Sequence, residues 1–476
     1  MDGKDRREAI EQTGSPEADL LRMRAANDRF ERENGRRRLA FFLTFGCQQN
    51  EADSEILAGL AERMGYGITQ APENADLIVV NTCAIREHAE KKALSTVGQF
   101  KHLKAKNPDL ILVLCGCMVS QPHRAEEVRR RYPYVDLVFG PGSLAAFPSL
   151  LRECCESGRR VCRREEETPL VAEGLPVRRG SRYRAWVSVM YGCNNFCSYC
   201  IVPYVRGRER SREPEKIIGE VRALVDEGYR DITLLGQNVN SYGRGTAAGW
   251  DFADLLAALD RIPGDYRLRF MTSHPKDASR KLIDTMAASE HIARQFHLPL
   301  QSGSDGVLAR MNRRYDTAKY LETLDYLREK IPDVTVTSDI IVAFPGESDA
   351  DFEDTLAMLR RARFDMIFSF IYSPRKGTPA AAMPDQVPPA VAHERFDRLL
   401  ALQNAIGTEK NEELLGKTLR VLCDGPSKSD PTVMSGRTDG NKIVFFEGDP
   451  AEAGKFVLFR ADRADAFSLR GERIFE

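Results

Sequence analysis

The chain has 476 residues, 69 Lys and Arg against 70 Asp and Glu, a net charge of −1 and 11 Cys. At roughly 100–200 residues per domain, this length allows two to four domains with their own cores. A composition of 42% hydrophobic and 29% charged residues fits a globular chain, and the balanced charge excludes any bulk attraction to a polyanion. RNA binding would therefore have to come from local Arg clusters. No stretch approaches the roughly 20 apolar residues of a membrane helix, and Met1–Glu11 is charged, unlike a signal peptide. The expectation is a cytoplasmic protein without membrane contact. In that compartment eleven Cys point to metal, catalysis or burial rather than disulfides.

Residues 1–38 are highly charged and of mixed sign, which predicts a solvated helical or disordered extension without chemistry. From 39 to about 155, apolar strands (Leu39–Phe45, Asp76–Asn81, Leu110–Cys115, Val135–Phe139) alternate with amphipathic helices. That pattern predicts a parallel sheet covered on both faces. Residues 156–182, with Cys162, the Glu165–Glu167 run, Pro169 and Pro176, read as a linker. From 183 the alternation resumes with candidate strands Ala185–Tyr191, Asp231–Leu235, Leu268–Met271, Gln295–Leu298, Val334–Val342 and Asp365–Tyr372. About six such units predict an open (β/α)6-type barrel up to about residue 412, smaller than the closed eight-unit form. Residues 413–476 change to short β-rich runs (Thr418–Cys423, Lys442–Phe446, Phe456–Phe459) split by Gly, Pro, Asp and Ser, as in a small all-β barrel or sandwich.

Two sets of Cys stand out. Cys193, Cys197 and Cys200 form a CxxxCxxC triad just after the first barrel strand. Three thiolates on one short loop suit three irons of a 4Fe-4S cluster and leave the fourth iron open to a ligand. Tyr199 could place its ring beside that ligand. A zinc site or buried thiols are the alternatives, although structural zinc takes four ligands and no fourth donor is near in sequence. Cys47, Cys83 and Cys117 each follow the C-terminal end of a strand in the first domain. In a parallel sheet those ends share one edge, where ligands of open α/β sheets bind, so residues far apart in sequence should converge as a second three-thiolate site. Single Cys are often just small buried hydrophobes. Cys115 lies inside an apolar run and is expected in the core, and Cys154, Cys155, Cys162 and Cys423 have no partner spacing.

The barrel strands end in polar groups: Gln237 and Asn238, Ser273 and His274, Gln301, and Pro345-Gly346-Glu347. Gln237, Asn238, Ser273 and Gln301 are neutral donors and acceptors that suit a zwitterionic amino acid and a ribose. Any one of them could equally serve a turn or helix cap. His297 is expected to be structural. No phosphate-cradling Walker loop is present. Just after the triad, Arg206, Arg208, Arg210 and Arg212 alternate with other residues. They could meet a carboxylate or RNA phosphate, or form a solvated loop pairing with Glu209 and Glu213.

A CxxxCxxC after the first barrel strand resembles the radical S-adenosylmethionine enzymes. With Cys47, Cys83 and Cys117 ahead of it and a small β domain behind, residues 38–476 resemble their methylthiotransferase family. Within it, several stretches are most similar to the tRNA-modifying branch that acts on isopentenylated adenosine. These are 192–200 (GCNNFCSYC), 206–212 (RGRERSR), 234–242 (LLGQNVNSY), 272–275 (TSHP) and 311–315 (MNRRY). The last segment resembles a TRAM RNA-binding barrel.

The resemblance implies two 4Fe-4S clusters, one on Cys193, Cys197 and Cys200 binding S-adenosylmethionine, the other an auxiliary cluster on Cys47, Cys83 and Cys117 that carries sulfur. It implies transfer of a methylthio group to carbon 2 of isopentenylated adenosine next to the anticodon, with no catalytic residue beyond the clusters. Tyr199, Gln237, Asn238, Ser273 and Gln301 would then contact S-adenosylmethionine. Arg206, Arg208, Arg210, Arg437, Asn441 and Lys442 would contact the tRNA anticodon loop, whose unpaired bases can be splayed into a pocket. The implied partners are a flavodoxin- or ferredoxin-type electron donor and a sulfur donor, with the chain a monomer. Competing readings are a sibling enzyme acting on threonylcarbamoyl-adenosine or on a ribosomal-protein aspartate, and a non-enzymatic RNA-binding iron–sulfur carrier or sensor.

Overall fold

The computed structural model describes residues 15–84, 87–163 and 173–475, without the side chains of Glu87 and His88. Residues 1–14 of the predicted extension and 164–172 of the predicted linker lie outside the described residues. The chain divides into two compact units. One comprises residues up to 180 with 191–193 and 201–210, and the other 181–190, 194–200 and 211 onward.

The first unit is built on a parallel sheet of six strands: β1 (Leu39–Phe45), β2 (Gly67–Ile68), β3 (Leu77–Thr82), β4 (Ile111–Gly116), β5 (Leu137–Phe139) and β6 (Val161–Arg163), in the order β2-β1-β3-β4-β5-β6. Every residue of β3 is buried, as a strand covered on both faces requires. Alternate residues feed two cores. Val79 and Val113 pack with Leu57, Phe139 and Leu151, and Ile78, Val80, Leu112 and Leu114 pack with Val97 and Val128. β6 falls in the segment read as a linker. Its three residues are too short to carry a visible period, and only pairing with β5 makes it a strand.

The predicted extension is likewise more than a solvated segment. Helix Pro16–Asn34 is capped by Ser15, whose Oγ accepts from the Ala18 N–H at 3.2 Å. It buries Leu20 and Met23 in the same core as Leu57. Its few apolar positions are masked in the composition by the charged outer face.

The second unit carries the barrel strands β7 (Arg184–Ser188), β8 (Asp231–Leu235), β9 (Arg267–Met271), β10 (Gln295–His297), β11 (Thr335–Val342) and β12 (Met366–Ile371). They form two parallel three-stranded sheets, β9-β8-β7 and β10-β11-β12. One bridge, Leu268 to Ile292, links the two halves. This is the open six-strand barrel that the sequence predicts.

Helix Pro389–Glu412 packs Leu399 and Ile406 into the barrel core and leads to a closed five-stranded barrel of β13 (Thr418–Pro426), β14 (Met434–Thr438), β15 (Ile443–Phe446), β16 (Phe456–Ala464) and β17 (Ser468–Ile474). The small barrel is tied to the larger one by charge. Arg267 Nε lies 2.9 Å from Asp439, Arg269 donates to the Thr438 carbonyl at 2.9 Å, and Lys442 lies 2.9 Å from Asp365. Among the described residues no helix is long and apolar enough to cross a membrane.

Candidate functional site

In the first unit, β1, β3 and β4 are neighbours, so their C-terminal ends form one edge. Cys47 caps helix Gln48–Arg63 just after β1, Cys83 follows β3, and Cys117 follows β4. Cys83 and Cys117 are each 4% exposed, and Cys47 is half-buried. Burial pushes the Cys117 thiol up to about 12; Arg206 opposes this, while Cys83 and Cys47 add to it. The three thiols are thus close enough to feel one another. A metal centre that takes this Cys117 sulfur as a thiolate would displace its proton.

The loop backbone demands specific residues. Gly116 has φ +97°, and a Cβ there would lie 2.3 Å from Asn81 Oδ1 and 2.4 Å from the Thr82 carbonyl. Beneath the edge, Asn50 Nδ2 donates to Asn81 Oδ1 at 3.1 Å, and Asn81 Nδ2 donates to Ser54 Oγ at 3.0 Å. This buried amide pair fixes the β1 and β3 loops relative to each other. Cys115 points instead into the core with Val113 and Phe139, as expected.

Arg206 completes this edge and corrects an expectation. It is buried, with Nη2 2.8 Å from Asp53 and Nε donating to Cys117 Sγ at 3.1 Å. Burial would lower its pKa, but Asp53 and Cys117 raise it well above the ordinary value. A guanidinium committed in this way is not available to an RNA phosphate. Arg212 is also buried, donating to the Ser188 carbonyl at 2.7 Å and to Glu220 at 2.9 Å. Of the Arg run, Arg208 is exposed and Arg210 half-buried. Lys442 is corrected in the same way: its ammonium binds Asp365 and, at 2.7 Å, Asn411 Oδ1. Arg437 Nη1 donates to Asn441 Oδ1 at 3.3 Å, and burial lowers its pKa. Arg437 keeps 34% of its side chain exposed, with its Nε 3.8 Å from Asp424.

In the CxxxCxxC loop, Gly192 has φ +76°, and a Cβ there would lie 2.0 Å from the Arg208 carbonyl. Cys193 belongs to the first unit, and Cys197 and Cys200 to the second. In the second unit the Cys200 N–H donates to the Cys197 carbonyl at 2.9 Å, and Ser198 is held by the carbonyls of Met311 and Arg310 at 3.0 and 2.8 Å. Arg313 is buried and donates to Cys197 Sγ at 3.3 Å, to the Pro299 carbonyl at 3.1 Å and to Tyr315 Oη at 3.0 Å. Tyr199 packs edge-on against Phe344 at 6.4 Å. Its hydroxyl is pushed well up by burial against the pull of Arg313.

Among the described residues no three His, Cys, Asp or Glu side chains converge where one metal ion could sit. Thiolates on a 4Fe-4S cluster each meet a different iron and so stand apart.

The barrel's strand ends are strained and incompletely bonded. Thr272 follows β9 at φ +70°, Ala343 follows β11 at φ +60°, and Gln301 lies beyond β10 at φ +73°. Non-glycine residues held there cost of order 1–3 kcal/mol each and cluster at ligand sites. After β8, Gln237 Oε1 and Asn238 Oδ1 are buried without a hydrogen-bond partner, although Asn238 Nδ2 donates to Asp277 at 2.7 Å. Such orphaned acceptors fit a ligand that brings donors. Ser273 donates to the His297 carbonyl. His297 itself is 2.9 Å from Thr337 Oγ1 and 3.4 Å from Asp339, a structural setting. His274 accepts from the Lys276 N–H, and burial pushes its pKa down to about 2.

Sequence reasoning missed Asp53, Asn50, Asn81 and the bonding roles of Arg206 and Arg313. Their signal lies only in contacts between distant segments, although Arg313 sits in one of the stretches quoted for the resemblance.

Comparison with known proteins adds three matches along the chain: the uncharacterized protein family UPF0004 at residues 39–140, the Radical SAM superfamily at 187–359 and the TRAM domain at 412–474. The chain is similar to proteins named tRNA-2-methylthio-N(6)-dimethylallyladenosine synthase. The one from Thermoanaerobacter sp. (strain X514) is 50% identical over 431 residues, 90% of this chain and 92% of that protein. The one from Alkaliphilus oremlandii is 50% identical over 93% of this chain and 94% of that protein, and the one from Moorella thermoacetica is 48% identical over 91% and 97%. In fold, the chain is similar to the radical S-adenosylmethionine methyltransferase TsrM from Kitasatospora setae, with TM-score 0.54 and 14% identity over 72% of this chain and 75% of that one.

Proposed function

Since the chain belongs to the family of tRNA-2-methylthio-N(6)-dimethylallyladenosine synthases, we propose that it adds a methylthio group to carbon 2 of N6-dimethylallyladenosine beside the tRNA anticodon. The observation that carries this reading is identity at half of all positions across nine-tenths of the chain. Cys193, Cys197 and Cys200 hold one 4Fe-4S cluster with S-adenosylmethionine, and Cys47, Cys83 and Cys117 hold the auxiliary cluster. The chemistry those groups supply is the one-electron reactivity needed at an unactivated aromatic C–H, which protein side chains alone lack.

The chain's own contribution is binding and positioning. The Asn50–Asn81 amide pair and Gly116 fix the three-strand edge that bears the auxiliary thiolates. Arg206 and Arg313 each donate a hydrogen bond to one ligand sulfur. Gln237 and Asn238 offer unpaired acceptors to the amino acid and ribose parts of S-adenosylmethionine, and Tyr199, Ser273 and Gln301 are the further contacts assigned to it. Arg208 and Arg210 contact the tRNA backbone, together with the TRAM barrel. The protein acts as a cytoplasmic monomer, receiving electrons from a flavodoxin- or ferredoxin-type protein and sulfur from a separate donor.

Mass spectrometry of tRNA nucleosides from a deletion strain tests this. The methylthio nucleoside is expected to vanish and N6-dimethylallyladenosine to accumulate. An unchanged methylthio nucleoside would sink the reading.

A further inference from the structure

The two cysteine sites each present one buried guanidinium to one sulfur, but the charges around them differ. At Cys117 the Arg206 charge is balanced by Asp53 at 2.8 Å. At Cys197 the other bonded partners of Arg313 among the described residues are neutral: the Pro299 carbonyl, Tyr315 Oη and the Tyr315 ring, whose centroid lies 5.1 Å from its guanidinium carbon. Among the described residues no carboxylate pairs with Arg313. It is 8% exposed, so water screens it little. A buried, uncompensated cation is costly unless an anion is placed beside it.

We propose that Arg313 is a positioning residue that sets the reduction potential of the cluster held by Cys193, Cys197 and Cys200, its counter-charge being the cluster itself. The proposal rests on the assignment of a 4Fe-4S cluster to that triad. Adding one electron to a thiolate-ligated cluster adds one negative charge. A fixed positive charge in a low-dielectric site, hydrogen-bonded to a ligand sulfur, favours the reduced form and raises the potential. The Arg206–Asp53 pair carries no net charge and adds only its hydrogen bond at the other site. The fold thus makes the S-adenosylmethionine-binding cluster the easier of the two to reduce, so far as these two guanidinium groups decide it. An incoming electron is then directed there.

The test uses the full-length chain with Cys47, Cys83 and Cys117 all changed to Ala, reconstituted anaerobically so that a single cluster gives the signal. Its midpoint is read by electron paramagnetic resonance during a dithionite titration with mediators. Arg313→Gln is expected to keep about four irons per chain and lower the reduced-to-oxidised ratio at fixed potential about tenfold, about 59 mV for one electron. Arg313→Lys, which keeps the charge but not the fork, is expected to shift it less. A midpoint unmoved by Arg313→Gln overturns the proposal. So does loss of iron in both Arg313 variants of the folded chain, which would make the residue a requirement for assembly. Adding Cys197→Ala to the same chain separates the two levels. If it removes the iron that Arg313→Gln retains, an unmoved midpoint counts against Arg313 alone. If the iron is indifferent to it, both the cluster assignment and the proposal fall.

Discussion

Arg206 joins two distant parts of the first unit, its Nη2 2.8 Å from the Asp53 carboxylate and its Nε 3.1 Å from Cys117 Sγ. Both members of the ion pair are almost fully buried, with side-chain exposures of 5% and 2%. Removing one partner strands a charge, which typically costs about 3–5 kcal/mol. Asp53→Ala is therefore expected to lower the unfolding free energy from denaturant titration by that amount, and Arg206→Met together with Asp53→Leu to recover most of it. A single variant as stable as the parent would contradict the pairing.

The two cysteine sets are expected to divide the labour. Cys197→Ala should abolish reductive formation of 5′-deoxyadenosine from S-adenosylmethionine, whereas Cys83→Ala should retain it and form no methylthio product. The reconstituted parent should contain about eight irons per chain and each variant about four. Normal methylthio product from Cys83→Ala would remove Cys83 from the auxiliary site.

Gly116 tests the edge geometry without touching a thiol. Gly116→Ala places a methyl group against Asn81 Oδ1 and the Thr82 carbonyl, and forces a left-handed backbone on a non-glycine residue. The expected outcome is a loss of about 2 kcal/mol or more, together with the auxiliary iron, while the cluster of the CxxxCxxC loop remains. Full iron content at unchanged stability would show that the edge tolerates movement.

Arg208 and Lys442 separate RNA contact from internal pairing. Arg208→Ala is expected to weaken tRNA binding and reduce the slope of log affinity against log salt by about 1. Lys442→Met leaves the buried Asp365 without its ammonium partner, so its expected effect is on stability, with the salt slope unchanged. The reverse pattern would return Lys442 to the RNA surface.

His274 predicts an acid limb of the stability curve. Its native pKa is pushed down to about 2, chiefly by burial and then by Arg313, while the unfolded group titrates near 6.5. The unfolded state therefore binds the proton first. The contribution of neutral His274 is full above about pH 6.5 and falls as pH drops toward 2, at up to about 1.4 kcal/mol per pH unit. Anaerobic denaturation at pH 6.5 and pH 5 is expected to show a loss of about 2 kcal/mol in the parent that His274→Gln lacks. Equal losses would mean His274 is protonated in the native state.

Much of this molecule is legible in its residues. The runs Asp76–Asn81 and Asp231–Leu235 fall on strands buried at every position, as a parallel sheet covered on both faces requires. The placement of Cys47, Cys83 and Cys117 just past strand ends follows from that topology. The spacing of Cys193, Cys197 and Cys200 sets their proximity by chain length alone. Local pattern could not reach the short strand Val161–Arg163, which exists only through its neighbour, or the helix Pro16–Asn34, whose buried face is two apolar residues wide.

The sequence by itself determined the parallel-sheet architecture, the two sets of thiols and the all-β character of the last segment, because periodicity and spacing are local properties of the chain; that the last strands close into a barrel was decided by their tertiary pairing. The tertiary structure alone decided what the cations do. Arg206, Arg437 and Lys442 read as RNA contacts in the sequence, yet Arg206 and Lys442 are committed to Asp53 and Asp365, and Arg437 is bonded to Asn441 with Asp424 3.8 Å from its Nε. Whether an Arg faces water or a carboxylate is fixed by burial and by partners tens or hundreds of residues away. For the same reason, Arg313 became distinct from Arg206 only when the absence of a neighbouring carboxylate, among the described residues, could be seen.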